Sequence, residues 1–210
     1  MSSSPRAPLD DAQCAKSPIP GIRNDLSESV YIHEELALGS VQQIRLIKLL
    51  PGSSVHPLRC TLSTANLDDL PEYEALSYTW ATENGDDKKS RQIYCDNGVL
   101  PITVNCHAAL RQLRKVFAPR ILWVDSICIN QSNVGERNHQ VGLMDRIYRL
   151  ASMVHVCIHD SNHDYTESMS WLRSAKKHRK QNAIKQTTEL FRRRYFTRVW
   201  VSESFHLRSA

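Results

Sequence analysis

Residues 121–131 read ILWVDSICINQ, and this stretch decides the fold. Its first four residues are apolar, and the run ends at Asp125. A short apolar run bounded by polar residues is typical of a strand that is buried on both faces, as in parallel sheets. The stretch therefore predicts a core strand at 121–124, with Asp125, Asn130 and Gln131 just past its carboxyl end, where ligands gather in such sheets.

Two more runs of this kind flank the first. Residues 75–78 and 154–158 are short and mainly apolar, and each predicts another core strand. Between the strands lie two amphipathic helices, the first capped by Thr103 or Asn105. Their apolar stripes comprise Cys106, Leu110, Leu113 and Phe117 in the first, and Val141, Met144, Tyr148 and Ala151 in the second. This order predicts an α/β fold with a parallel central sheet flanked by helices.

Added β-hairpins are predicted on the N-terminal side of this core. The first joins 43–50 to 58–62 through a turn at Pro51-Gly52. Within 43–50, apolar residues roughly alternate with polar ones such as Arg45, which indicates a strand. The second hairpin is predicted at Asn97-Gly98, because both residues tolerate a positive φ.

The N-terminal end and the composition limit the class of protein. Residues 1–28 mix Ser, Pro, Asp and Ala without periodicity, which predicts a flexible leader. The sequence has no signal-peptide pattern and no apolar run of the roughly 18 residues that span a bilayer. The six cysteines are scattered without metal-type spacing. These features predict a reduced protein of the cytoplasm.

The net charge of +5 is unevenly distributed. Residues 173–198 hold ten Lys or Arg and one acid, so this segment carries +9. Such a segment raises the hypothesis of a nucleic-acid binder, but no aromatic stacking pattern accompanies the charges. A solvated helix face is the interpretation that the pattern favours.

Four longer motifs carry a family resemblance. They are YEALSYTW (73–80), LWVDSICINQ (122–131), the helix pattern ERxxQVxxMxxIYxxA (136–151) and RVWVSE (198–203). In this order they resemble the fungal heterokaryon-incompatibility, or HET, family over a domain at 40–205. The resemblance implies a signalling and interaction module in fungal non-self recognition and regulated cell death. The partners it implies are other proteins of the incompatibility pathway or a second copy of the chain, rather than a membrane or a nucleic acid.

Several of these motifs are also similar, at the level of the fold, to Toll/interleukin-receptor domains. Some of those domains cleave NAD with a late glutamate, because a carboxylate stabilises the oxocarbenium-like charge on the ribose. The matching residue here is Glu203, three residues after Trp200. The similarity implies an alternative function as an NAD-cleaving enzyme, with NAD as the substrate and no other cofactor. The structural alternative is that Glu203 caps or pairs with the neighbouring Arg198.

The predicted site joins the polar residues at the strand ends to residues of the motifs. Besides Glu203 as the catalytic candidate, it comprises Tyr78, Trp80, Asp125, Asn130, Gln131, Glu136, Arg137, Arg198 and Trp200. Structural roles compete with this interpretation: Asp and Asn cap turns, buried tryptophans belong to cores, and the helix dipole favours an acid such as Glu136 in the first turn. His155, Cys157 and His159 share a strand face, but their spacing fits no zinc site and no metal is predicted.

Overall fold

The computed structural model describes residues 29–39, 41–96 and 98–158, and seven strands in these ranges form one sheet. The strands are β1 (Gln43–Leu49), β2 (Arg59–Asn66), β3 (Glu74–Tyr78), β4 (Arg91–Cys95), β5 (Gly98–Ile102), β6 (Arg120–Val124) and β7 (Met153–Cys157). The helices are α1 (Val104–Leu113), α2 (Asp125–Cys128) and α3 (Val134–Leu150). The predictions for residues 1–28 and 173–198, and for His159, Arg198, Trp200 and Glu203, lie outside the described residues.

The sheet is mixed, in the order β5-β4-β2-β1-β6-β3-β7. The neighbours β6, β3 and β7 are parallel, with Ala75 opposite both Trp123 and Val154. β1 is antiparallel to β2 and to β6, and β4 is antiparallel to β5. The α/β class is confirmed, but the sheet is mixed rather than parallel: β6, β3 and β7 are parallel, as are β2 and β4, and the other pairs are antiparallel. The short links from β1 to β2 and from β4 to β5 impose antiparallel pairing, since a parallel pair needs a longer crossover.

β1 lies in the middle of the sheet, where Ile47 faces Leu122 of β6. Residues 44–47 are all buried, so both faces of the strand are covered. The strand predicted from alternation is present, and Arg45 within it is only 2% exposed. A buried charge needs a partner, and Arg45 has one in α3, which a local pattern does not reveal.

α1 ends earlier than its apolar pattern predicts. Its last residue is Leu113, and Phe117, predicted to face the core, is 94% exposed. The next residue, Arg114, is extended with φ −63° and ψ 127°. Its guanidinium donates hydrogen bonds to the carbonyl oxygens of Ser53, His56 and Pro57. These bonds fix the end of α1 to the link between β1 and β2.

α3 and β7 bury less surface than predicted. The α3 stripe residues that pack against the core are Met144, Tyr148 and Ala151. Val141, predicted on the same stripe, is 56% exposed. β7 has β3 as its one neighbour among the described strands, and its Met153 is 55% exposed. No helix in the described ranges is long and apolar enough to cross a membrane.

Gly98 lies in a strand rather than in the turn predicted for it. It pairs with Cys95, and Asp96 before it has a positive φ of 28°. The backbone of 29–31 crosses directly over Gly98, and Val99 exchanges main-chain hydrogen bonds with Ser29 and Tyr31 at 2.9 and 3.0 Å. A Cβ on Gly98 would lie 2.8 Å from both Ser29 O and Tyr31 N. Gly98 is thus required by a close approach of two backbones.

We expect Gly98→Ala to lower the free energy of unfolding by about 1–2 kcal/mol, because the new methyl group must push residues 29–31 away. Urea unfolding measures the loss, and hydrogen exchange at the Tyr31 amide should accelerate. The matched control is Gly142→Ala in α3, where no described atom lies within 4 Å of the added Cβ. The control should gain about 0.5–1 kcal/mol, since alanine favours a helix. Equal effects of the two substitutions would contradict the proposed role of Gly98.

Candidate functional site

A group of polar side chains lies where β3 and β6 end. We call it the strand-end cluster, and its members are Trp80, Asn105, Asp125 and Gln131. The Trp80 Nε1 donates to Asp125 Oδ2 at 2.9 Å, and Gln131 Nε2 donates to the main-chain oxygen of Asp125 at 2.9 Å. The structure therefore brings together three of the residues that the sequence predicts for the site.

Asp125 holds the corner at which β6 turns into α2. Its Oδ1 accepts the Ser126 N–H at 2.7 Å, while its Oδ2 accepts the indole of Trp80. Asp125 is 7% exposed, so both bonds are largely sheltered from water. Hydrogen bonds to an ionised acceptor are about twice as strong as neutral ones. The carboxylate thus fixes the direction of Trp80 relative to the loop that follows β6.

Asn105 holds the other side of the cluster. Its Nδ2 donates to Thr79 O at 3.0 Å and to Ala81 O at 2.9 Å, on either side of Trp80. The cap of α1 is Thr103, whose Oγ1 accepts the Cys106 N–H at 3.2 Å. Of the two residues predicted to cap this helix, Asn105 instead anchors the loop after β3. The sequence did not indicate this role, because the bonds span more than twenty residues.

Tyr78 lies beneath the cluster. It is 2% exposed, and its hydroxyl donates to Ser126 Oγ at 2.6 Å. Burial raises the pKa of Tyr78 well above its ordinary value, and burial raises the pKa of the neighbouring Cys106 thiol to about 12. Neither group loses its proton near neutral pH. Tyr78 therefore supports the loop of Asp125 from inside the core.

A second predicted residue, Glu136, forms a buried ion pair with Arg45. Arg45 Nη1 lies 2.5 Å from Glu136 Oε1, and Nη2 lies 3.0 Å from Oε2, with both side chains 3% exposed or less. Arg45 also donates to Cys128 O at 3.0 Å and to Glu34 O. The guanidinium thereby joins β1 to α2, α3 and the segment at 29–39. Sequence reasoning missed Arg45, for which the one signal is a charge inside an apolar strand.

Glu136 also shapes the loop of 128–133. Its Oε1 accepts the Asn130 N–H at 2.6 Å, and its own N–H donates to Asn133 Oδ1, the cap of α3, at 3.1 Å. Burial alone would raise the pKa of this carboxyl, but the hydrogen bonds from Arg45 and from the Asn130 N–H outweigh it. The pKa of Glu136 consequently lies below its ordinary value. Glu136 stays ionised as a structural anchor of the loop.

The partly exposed rim of the site is made by side chains of the same loop. Asn130 and Gln131 are half-buried, as is Trp80, and Arg137 is exposed. The Asn130 Oδ1 accepts the Ser132 N–H at 3.2 Å, and Arg137 Nη1 lies 3.5 Å from Gln131 O. These groups leave hydrogen-bond donors, acceptors and an indole partly exposed, on a base fixed by buried bonds.

His155 lies away from this site, near the start of the parallel strands. Its Nε2 is 2.7 Å from Glu74 Oε2, and Arg120 Nη1 is 3.0 Å from the same oxygen. A partner carboxylate thus accounts for His155 without a metal. Within the ranges that the structure describes, no three potential ligands lie close enough together to hold a metal ion.

Comparison with known proteins identifies the family. The model of the heterokaryon incompatibility protein (HET) family matches residues 73–203. The chain is 32% identical over 180 residues to heterokaryon incompatibility protein 6, OR allele, of Neurospora crassa, an alignment that covers 69% of this chain and 26% of that relative. The chain thus spans about a quarter of the relative's length, and no solved structure matches it. Because the family model covers more than half of the sequence, including both loops of the strand-end cluster, this chain belongs to the heterokaryon-incompatibility family.

Proposed function

We propose that this chain acts in fungal heterokaryon incompatibility as a signalling module that triggers cell death by assembling with other proteins. Family membership supports the biological role, as does a relative whose name states heterokaryon incompatibility. Because the chain spans about a quarter of that relative, the proposal concerns what this domain contributes. We also propose the cytoplasm as the place of action, and pathway proteins or a second copy of the chain as partners.

The observation that carries the proposal is that the strand-end cluster is held by hydrogen bonds within the chain and leaves Trp80 and Gln131 partly exposed. Tyr78 and Cys106 have raised pKa values, and Glu136 is already paired with Arg45. A general acid or base needs a pKa near the working pH, and these three groups do not meet that need. The rim at Trp80 and Gln131 is instead suited to protein recognition, where aromatic side chains are enriched.

We also propose the type of fold and the boundaries of the domain. The three parallel strands β6, β3 and β7, with polar residues at the carboxyl ends of β6 and β3, support a Toll/interleukin-receptor-like arrangement. We propose a domain at 40–205 because β1, which precedes the range matched by the family model, pairs with β6 in the same sheet. Assembly through such a domain brings copies or partners together without covalent chemistry.

Inducible expression in a filamentous fungus tests assembly against chemistry. The wild-type chain and Glu203→Ala should both reduce viability, with cellular NAD unchanged, because the proposed mechanism needs no NAD cleavage. Viability counts and an enzymatic NAD assay on the same cultures give the two readouts. NAD loss and cell death that both disappear in Glu203→Ala would replace this proposal with the NAD-cleaving enzyme. Survival of cells that hold the folded wild-type protein would contradict both.

A further inference from the structure

A concave surface lies near the edge of the sheet formed by β5. It is a cleft of about 450 Å³ beside β4 and β5, between the residues before β4 and the helix α1. Lys89, Arg91, His107 and Arg111 line it together with the ring of Tyr94. We call it the basic cleft. Among the described residues that line it there is no acidic side chain.

Within the described residues, no ion pair joins Lys89, Arg91 or Arg111 to an acidic side chain. Lys89 and Arg91 are exposed, so their charged ends are available to a ligand. Arg111 is held in place by a hydrogen bond from its Nη1 to Ser54 O. The nearest acids along the chain are Asp86 and Asp87, and Asp86 accepts the Lys88 N–H at 3.0 Å within its own loop. Three positively charged side chains, those of Lys89, Arg91 and Arg111, therefore line the same cleft.

The pKa of His107 is lowered by burial and by the positive charges around it. Burial lowers the pKa of its imidazole, and the positive charges of Arg111, Arg91 and Arg114 lower it further. A like charge disfavours the protonated form, so this direction is expected where cations lack counter-charges. At neutral pH the ring is uncharged, and it offers a hydrogen bond beside the three cations.

The aromatic and apolar side chains of the basic cleft offer a second kind of contact to a ligand. The Tyr94 ring lines the cleft, and the Arg59 guanidinium lies over that ring at 5.4 Å from its centroid. Val99 and Pro101 provide apolar surface on the same side. A volume of this size falls within the range of pockets for small ligands, which is roughly 300–1,000 Å³.

We propose that the basic cleft binds the phosphate groups of a nucleotide-sized anion. Arginine and lysine are suited to phosphate because they form charge-assisted hydrogen bonds, and Arg91 and Arg111 present forked donors. The apolar and aromatic wall suits the base or sugar of such a ligand. The proposal is independent of the signalling function, because the cleft shares no residue with the strand-end cluster.

Isothermal titration of the full chain with ADP, pyrophosphate and adenosine tests the proposal. ADP and pyrophosphate should bind, adenosine should not, and affinity should fall when NaCl is raised from about 50 to about 300 mM. Arg91→Gln should weaken ADP binding about tenfold or more, because it removes a charged hydrogen bond at an exposed position that packs no core. The His107 pKa, followed by its ring-proton NMR signals, should rise when pyrophosphate binds, since the anion offsets the positive field.

The matched control is Arg149→Gln, which removes the same charge from α3 near the other edge of the sheet. It should leave ADP affinity within about twofold, because Arg149 does not line the basic cleft and salt screens an exposed charge. Equal weakening by Arg91→Gln and Arg149→Gln would show a general charge effect and overturn the proposal. Absence of binding by ADP and pyrophosphate, or binding of adenosine alone, would overturn it too. Binding of an RNA oligonucleotide but not of ADP would replace it with a nucleic-acid surface.

Discussion

Glu136→Ala should lower the free energy of unfolding by about 3–5 kcal/mol, which is the usual cost of leaving a buried charge without its partner. The Arg45 guanidinium is 2% exposed and meets both oxygens of Glu136. Alanine removes those acceptors together with the acceptor of the Asn130 N–H. Urea unfolding followed by circular dichroism measures the loss.

Two variants separate lost charge from lost packing. Glu136→Gln keeps an acceptor but removes the negative charge, so its loss should be smaller than that of alanine. The double variant Arg45→Met/Glu136→Gln should recover about half of the loss of Glu136→Ala, because no unpaired charge stays buried. A double variant less stable than Glu136→Ala, or an alanine variant that loses under about 1 kcal/mol, would contradict the role of the ion pair.

The same pair predicts how stability depends on pH. Because the pKa of Glu136 is lowered in the folded chain, its stabilisation is fully present above its ordinary pKa of 4.5. The stabilisation decreases as the pH falls below that value and through the lower folded pKa. The difference between the wild type and Glu136→Gln should therefore narrow on acidification from pH 7, and a widening difference would contradict the sign.

Asp125→Asn should cost about 2–4 kcal/mol and should release the Trp80 indole. The Asp125 carboxylate accepts the Ser126 N–H on one oxygen and the Trp80 Nε1 on the other. An amide has one oxygen, so one of these donors must face an NH₂ group. The estimate combines a lost charge-assisted bond with a buried donor left unsatisfied. Unfolding experiments measure the cost, and indole exchange by NMR reports on Trp80.

A double-mutant cycle with Trp80→Phe assigns this cost to the bond. Phenylalanine has no N–H, so in the Asp125→Asn/Trp80→Phe double variant the introduced amide can turn its oxygen to Ser126. The two substitutions should therefore be non-additive by about 1–2 kcal/mol, with the double variant more stable than the sum implies. Additive losses would show that Trp80 and Asp125 are not coupled.

The parts of the fold that sequence predicts well are those fixed by local patterns. The apolar runs at 75–78 and 121–124 both become strands, and the α3 helix begins beside Glu136 as its pattern indicates. The pairing order of the strands is not predictable in this way. β1 joins β6 through contacts between residues some seventy positions apart, such as Ile47 and Leu122. The sequence of neither β1 nor β6 indicates which strand will lie beside it.

The candidate site likewise contains residues that the local sequence predicts and residues that it does not. Trp80, Asp125 and Gln131 are predictable from their place after two core strands, and they lie together. The roles of Arg45 and Asn105 are not, because each acts on a distant segment. The alternation of apolar and polar residues in β1 indicates a strand but not the burial of Arg45, which its ion pair with Glu136 makes tolerable.

We propose that the strand-end cluster is the signalling site of this heterokaryon-incompatibility domain. The most direct measurement is the viability of fungal cells that express wild type, Asp125→Asn or the surface control Arg149→Gln at equal levels of folded protein, checked by limited proteolysis of cell extracts. We predict that wild type and Arg149→Gln reduce viability alike, while Asp125→Asn leaves most cells alive. Equal killing by Asp125→Asn at the same folded level would contradict the claim.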